Sequence, residues 1–208
     1  MNITNINVPS SHIHQSVTKT QICLSATGSL QTAFSWANEK GNHDAPSYVI
    51  DRDGSVHRIY PSNRWANVLG NELLDRRTIH IALCNVGPLR RNPADGLFYP
   101  VTLDAHRMPI ADTAKPSVHY FYEFCTRHPH HGFQYYEYIT PAQISSLRTL
   151  LQHLISLHHI PYLFDTLTGS HTPNFAKGRP GIYLACGYDT HRSDLHPQPE
   201  LINLLQSL

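Results

Sequence analysis

The run Ser47-Tyr48-Val49-Ile50-Asp51-Arg52-Asp53-Gly54-Ser55-Val56-His57-Arg58-Ile59-Tyr60 limits what this chain can fold into more than any other segment. Two short stretches rich in β-branched and aromatic residues flank an Asp-Gly pair. Such a pair tolerates positive φ, so the pattern predicts an antiparallel hairpin closed by a primed two-residue turn at Asp53-Gly54. A lone hairpin is marginal in water, so this one must join a larger sheet with a covered face. Residues 21–24 (Gln-Ile-Cys-Leu) and 78–86 supply further strands. The second of these is apolar almost throughout, as a central strand buried on both faces would be.

Helical spacing appears between these strands. Leu30, Ala33, Phe34 and Ala37 recur at helical intervals within residues 29–40, and Gly41-Asn42 offers a stop. Thr140-Pro141-Ala142-Gln143 combines a cap, a proline at the first helical position and a glutamine placed for a capping box. Ile144, Leu147, Leu151, Leu154 and Ile155 continue that helix to about His158. Residues 199–208 form a short apolar helix at the end. Residues 1–19 are polar and suit an arm or an edge element. Residues 87–114, rich in Pro, Arg and Asp, suit a long excursion with an exposed hairpin around 96–101. Residues 165–181 suit a loop. Irregular alternation of strands and helices implies one α/β or α+β domain, a central mixed β-sheet flanked by helices, over residues 20–208.

The chain has 208 residues, a net charge of +1 and 16 histidines. That length buries a sizeable core without disulfides or metals. The near-neutral charge argues against a nucleic-acid polymer or an anionic membrane as partner. No apolar run is long enough to span a bilayer. Cys23, Cys84, Cys125 and Cys186 form no Cys-x-x-Cys pair, and Cys23 and Cys84 sit in strand-like runs as small hydrophobes. No basic region leads into an apolar stretch at the N-terminus, so the expected location is the cytoplasm of the producing or infected cell.

Five stretches in order resemble the N-acetylmuramoyl-L-alanine amidases of phages and bacteria, whose fold peptidoglycan recognition proteins share. The hairpin is similar to that family's His-Tyr-Val-Ile-Asp-Arg-Asp-Gly-x-Ile-Tyr. Residues 78–89 are similar to its Ser-Ile-Gly-Ile-Glu-Leu-Val-Asn strand, followed by Gly87-Pro88-Leu89. Residues 140–161 are similar to its long Thr-x-x-Gln helix. Residues 20–40 and the segment 181–201, ending Pro197-Gln198-Pro199-Glu200-Leu201, complete the resemblance. It implies an amidase fold over most of the chain.

The family's reactive positions do not carry over. The first zinc His falls on Ser25 and the second on Ala185. The hairpin's leading His is Ser47, a pocket His is Val68 in Trp65-Ala66-Asn67-Val68, and the strand Glu, a candidate general base, is Ala82. Asp194 keeps a ligand position, and Arg192 stands where the family has Lys. Amide hydrolysis at such a site needs three protein ligands on zinc and one open position, where the metal acidifies a water. One carboxylate does not hold that metal, so no cofactor is expected. An alternative site rebuilt from His171, His191, Asp194 and His196 would need zinc. His128, His130 and His131 form another His-rich segment, for which exposed loop histidines are the plainer reading.

The resemblance therefore implies a retained fold around an abandoned reaction. The leading expectation is a catalytically inactive binding protein that holds a small polar ligand in the former active-site cleft. Ser25, Ser47, Arg52, Trp65, Val68, Ala82, Ala185, Arg192 and Asp194 would line that cleft. Arg58, Arg64, Arg76 and Arg77 are further candidate cations, and Trp36, Tyr48, Phe98, Tyr120 and Tyr188 candidate stacking surfaces. The ligand would be a muropeptide, or a phosphate-bearing nucleotide signal that a phage protein sequesters as an anti-defence sponge. Two other readings remain. One is a zinc amidase with rearranged ligands. The other is an interaction module that binds a host protein through residues 87–114 and 120–138. A homo-oligomer with a shared pocket fits any of them.

Overall fold

The computed structural model describes residues 2–6, 8, 11–38, 44–104, 106, 108–123, 132–164, 173–188 and 195–208. The main sheet has six strands in the order β1 (Ile3–Asn5), β4 (Val56–Arg58), β3 (Tyr48–Ile50), β5 (Thr78–Cys84), β2 (Gln21–Thr27) and β11 (Gly181–Leu184). Strands β3, β5, β2 and β11 run parallel, β4 is antiparallel to β3, and β1 lies parallel to β4 at the edge. This is the mixed sheet of an α/β domain. Every residue of β5 is buried, as its apolar run requires of a central strand.

One face of this sheet carries Ile22, Leu24, Ile79, Ile81, Leu83 and Ile182. Helix α3 (Pro141–His158) covers it with Leu147, Leu150, Leu151 and Leu154, and α6 (Pro199–Gln206) with Leu201, Leu204 and Leu205. Each such buried side chain contributes about 1.5–3 kcal/mol. The start of α3 is fixed as its sequence predicts. Thr140 Oγ1 accepts from Gln143 N at 3.1 Å, and Gln143 Oε1 accepts from Thr140 N at 3.1 Å. Gln143 Nε2 also donates to the carbonyls of Ile50 and Cys84, at 3.3 and 3.1 Å, and so ties the helix to the ends of β3 and β5. The opposite face packs against α1 (Leu30–Asn38) through Ala33 and Ala37. Residues 41 and 42, expected to end that helix, lie outside the described residues.

The hairpin forms, but its turn differs from the primed type. Gly54 N donates to Asp51 O at 2.9 Å, and only Gly54, at φ +86°, has positive φ. This is a three-residue loop whose last residue is left-handed, a geometry that also suits the right-handed strand twist. The N-terminal arm docks on the body. Ser11, His12 and Lys19 are buried, and the His12 ring stacks 4.8 Å from Tyr60.

Residues 87–114, expected as an excursion with an exposed hairpin, carry that hairpin and more strand besides. After the short helix α2 (Glu72–Arg77) and β5, the chain builds β6 (Pro88–Arg91), β7 (Phe98–Leu103) and β8 (Pro109–Ala111). With β9 (Phe121–Glu123) and β10 (Tyr135–Glu137) they make a second, antiparallel sheet in the order β8-β7-β6-β10-β9. Its aromatic residues hold it together: Phe98 lies 4.2 Å from Phe121 and 4.7 Å from Tyr135. Period-two alternation is weak in these short strands, so their composition alone reads as a loop. Two short helical turns, α4 (Pro173–Ala176) and α5 (Ala185–Tyr188), flank β11. Among the described residues no helix is long and apolar enough to cross a membrane.

Candidate functional site

The strand registers bring several of the residues named from the sequence onto one face of the main sheet. Ser25 pairs with Ala82, Ala82 with Val49, and Val49 with His57. Paired residues point to the same side of a sheet, so these four form one row. Leu184 pairs with Leu24, which puts Ala185 at the end of that row. The preceding row is Tyr183, Cys23 and His80, and Ser47, one before the partner of Ile81, stands next to His80. Ser25, Ser47, Ala82 and Ala185 therefore share the face turned away from α3. Ser25 lies within β2, a longer strand than the 21–24 run predicts. Val68 packs onto the cluster that covers Val49 and Cys84. Ala185 sits among Cys23, Phe175 and Tyr183, with Leu69 against them.

This face is filled with small and apolar groups. Ser25 is 8% exposed, Ala82 2% and Ala185 0%. Zinc needs imidazole, thiolate or carboxylate ligands, and a hydroxyl and two methyl groups supply none. Ser25, Ala82 and Ala185 therefore do not fit the metal, and the imidazole of His57 stands at the far end of the row from Ser25. Among the described residues no three His, Cys, Asp or Glu side chains cluster as a metal site. Arg192 and Asp194, with His171, His191, His128, His130 and His131, lie outside the described residues. His196 is described and buried. Its ring packs 4.7 Å from Tyr136 and 5.8 Å from Tyr122.

Behind the same face lies a buried polar network. The Asp75 carboxylate, fully buried, accepts from Leu69 N at 3.0 Å and Asn71 N at 3.3 Å, and His80 Nε2 lies 3.0 Å from it. It thereby anchors the 69–71 segment. Lys19, 1% exposed, donates to the carbonyls of Thr78 at 2.7 Å and Asp75 at 3.3 Å. Burial drives its amine down to about pKa 7, against the opposing pull of Asp75.

Arg52 is placed elsewhere. It projects from the hairpin turn, beyond the end of β3, and its Nε and Nη2 hold Glu137 at 2.6 and 2.9 Å. Nη2 also donates to Gly28 O at 3.1 Å. Val86 N donates to Glu137 Oε2, the oxygen that Arg52 Nη2 also holds, at 2.5 Å. The hydrogen bonds to Glu137 push the Arg52 guanidinium pKa up, against burial. This ion pair floors an open groove of about 770 Å³ between the second sheet and the start of α3, walled by Tyr120, Phe121, Tyr138 and Pro141. Of the other candidates, Trp65 is buried with Arg76 6.0 Å over its ring, Tyr48 is core, and Arg64 donates to His14 O.

The sequence matches the family model described as N-acetylmuramoyl-L-alanine amidase over residues 12–182. The chain belongs to this amidase family. Solved amidase structures share the fold. The N-acetylmuramoyl-L-alanine amidase LysC from Clostridium intestinale URNW superposes with a TM-score of 0.54 at 13% identity, over 99% of this chain and 98% of that one. The endolysin amidase LysCS from the same organism gives 0.52 at 13% identity, covering 99% and 95%. PlyL gives 0.50 at 11% identity, covering 99% and 96%. No curated protein sequence matches the chain.

The amidase resemblance did not point to Glu137, His80 or His57. Glu137 lies in a Tyr-Tyr-Glu-Tyr run just before the helix cap, and no local pattern there marks it as inward-facing. His80 alternates in phase with Ala82 along β5. That phase alone marks it as sharing the face.

Proposed function

We propose that this amidase-family chain binds a cell-wall fragment of the muropeptide class without hydrolysing it. The observation that supports this reading is the pairing of Ser25 with Ala82, with Ala185 beside them. At these positions the resemblance calls for zinc ligands and a general base, and the chain has side chains that can neither coordinate a metal nor take a proton. Without a metal to polarise the carbonyl and a base to activate water, amide cleavage loses its two main sources of acceleration. The rest of the fold persists, and with it the loops that border this face. Arg192 and Asp194 remain the candidate polar contacts for a bound fragment.

The test combines calorimetric titration with muramyl dipeptide, chromatography of the recovered ligand, and metal content of the purified protein. The expected result is saturable binding, ligand returned intact and no stoichiometric zinc. Stoichiometric zinc whose chelation abolishes release of the peptide stem would overturn the proposal in favour of a working amidase with rearranged ligands.

A further inference from the structure

We propose that the groove floored by Arg52 and Glu137 is a second binding site, one that takes a small organic carboxylate with an aromatic body. The site is separate from the face that carries Ser25 and Ala82, and it exists because the second sheet stands beside the start of α3. Three observations point to this ligand class.

First, the groove has the size of a small-molecule site, about 770 Å³. Second, its walls are aromatic and in part unpacked. Tyr120 is 83% exposed at the groove, with Phe121 and Tyr138 alongside. A large ring left in water beside a concave apolar surface marks a contact surface. Third, the polar groups at the floor are donors with spare capacity. The Glu137 carboxylate is already matched by Val86 N and by two nitrogens of Arg52. The Arg52 side chain remains 39% exposed, and its Nη1 has no hydrogen-bond partner among the described residues. An arginine with one edge fixed by a carboxylate presents its remaining N–H groups at a set angle, which suits recognition of a second planar anion. His119 adds another donor at the rim. Two other carboxylates are already engaged: Asp51 accepts from Arg52 N at 2.8 Å, and Glu200 accepts from the Tyr138 hydroxyl at 3.1 Å. The groove therefore offers stacking along its walls and unused guanidinium N–H donors at its base.

The test uses naphthoate and its neutral counterpart naphthylmethanol as probes, with binding to the full chain followed by ligand-observed NMR. Naphthoate is expected to bind in the wild type about tenfold more tightly than the alcohol, the margin of a hydrogen bond to a charged group. Tyr120→Ala removes one stacking partner and is expected to weaken naphthoate about three- to tenfold. Arg52→Lys keeps a cation against Glu137 but loses the planar fork, and is expected to erase the preference for naphthoate. Equal binding of the two probes, no binding of naphthoate, or naphthoate binding indifferent to Tyr120→Ala overturns the proposal. Tyr120 is exposed enough that its variant folds, so the test stands even if Arg52→Lys does not fold. Muramyl dipeptide titrated against Tyr120→Ala separates this groove from the face around Ser25. Its binding should be unchanged, and failure of the naphthoate site leaves the muropeptide reading intact.

Discussion

Lys19 should make this protein more stable as the solution turns mildly alkaline. Its amine is buried against Asp75 and two backbone carbonyls and gives up its proton at about pH 7 rather than at 10.5. Between those values the unfolded chain holds one more proton than the folded one, so unfolding becomes harder as pH rises. Below about pH 7 both states carry the proton, and the penalty for burying the charge is constant. A full proton of difference is worth about 1.4 kcal/mol for each step of one in pH, and the difference is only half developed at about pH 7. Moving from there to about pH 9 should therefore add about 2 kcal/mol. Two groups oppose the trend at higher pH. Burial pushes the Cys84 thiol up to about 12 from 9.0, and burial raises the Tyr60 phenol, so the unfolded chain ionises these first and the gain levels off above about pH 9. His158, held below its ordinary 6.5 mainly by burial, changes charge below this window. Urea unfolding followed by the fluorescence of buried Trp65, in closely spaced pH steps, measures the slope. Lys19→Met should flatten it whatever its effect on absolute stability. A wild type with no rise between about pH 7 and about pH 8.5, or a Lys19→Met variant with the same slope, would refute the reasoning.

Glu137→Ala should cost about 2–3 kcal/mol in the same urea assay, because Val86 N and Arg52 lose their acceptor together. The partial exposure of Arg52 keeps this cost below that of breaking a fully buried pair. Gly54→Ala should destabilise by about 1–3 kcal/mol: Gly54 has φ +86°, and a Cβ there would stand 2.9 Å from Ala142 O. Ala185→His should lower stability by about 1–3 kcal/mol, since the Cys23, Phe175 and Tyr183 cluster leaves that alanine no exposure. An unchanged melting temperature for that variant would mean the face has room for a ligand side chain. Thr140→Ala should cost about 1–2 kcal/mol, through loss of both the capping box and the Thr140 Oγ1 bond to Arg52 O at 2.7 Å.

The main sheet and its covering helices were legible because their signals are local. The capping box at Thr140 and Gln143, the leucines at helical spacing, and the apolar run of β5 each identify one element from adjacent residues. Which candidates share a face depends on strand register, which the sequence alone leaves open. The observed register pairs Ser25 with Ala82 and sets Ser47 beside His80, so the three share a face, and the family resemblance names the same three. The second sheet was not legible. Its strands are short, their burial is intermediate, and they are held by pairings such as Phe98 with Phe121 that no local pattern announces. Arg52 lies in the most recognisable motif, which by itself says nothing of its tertiary partner. Its actual partner is Glu137, 85 residues away. The primed turn failed for a simpler reason: an Asp-Gly pair serves a three-residue loop with one left-handed residue equally well.

The second sheet leaves β5 at Gly87 and returns at Glu137, and these two residues are hydrogen-bonded neighbours, Glu137 N to Gly87 O at 3.0 Å. Its ends therefore meet at one point of the amidase body, so the sheet behaves as a cassette. Strands within it can lengthen, shorten or change sequence without moving a residue of β5 or α3. The groove beside Arg52 is thus the part of this molecule freest to acquire new specificity while the inherited scaffold stays fixed.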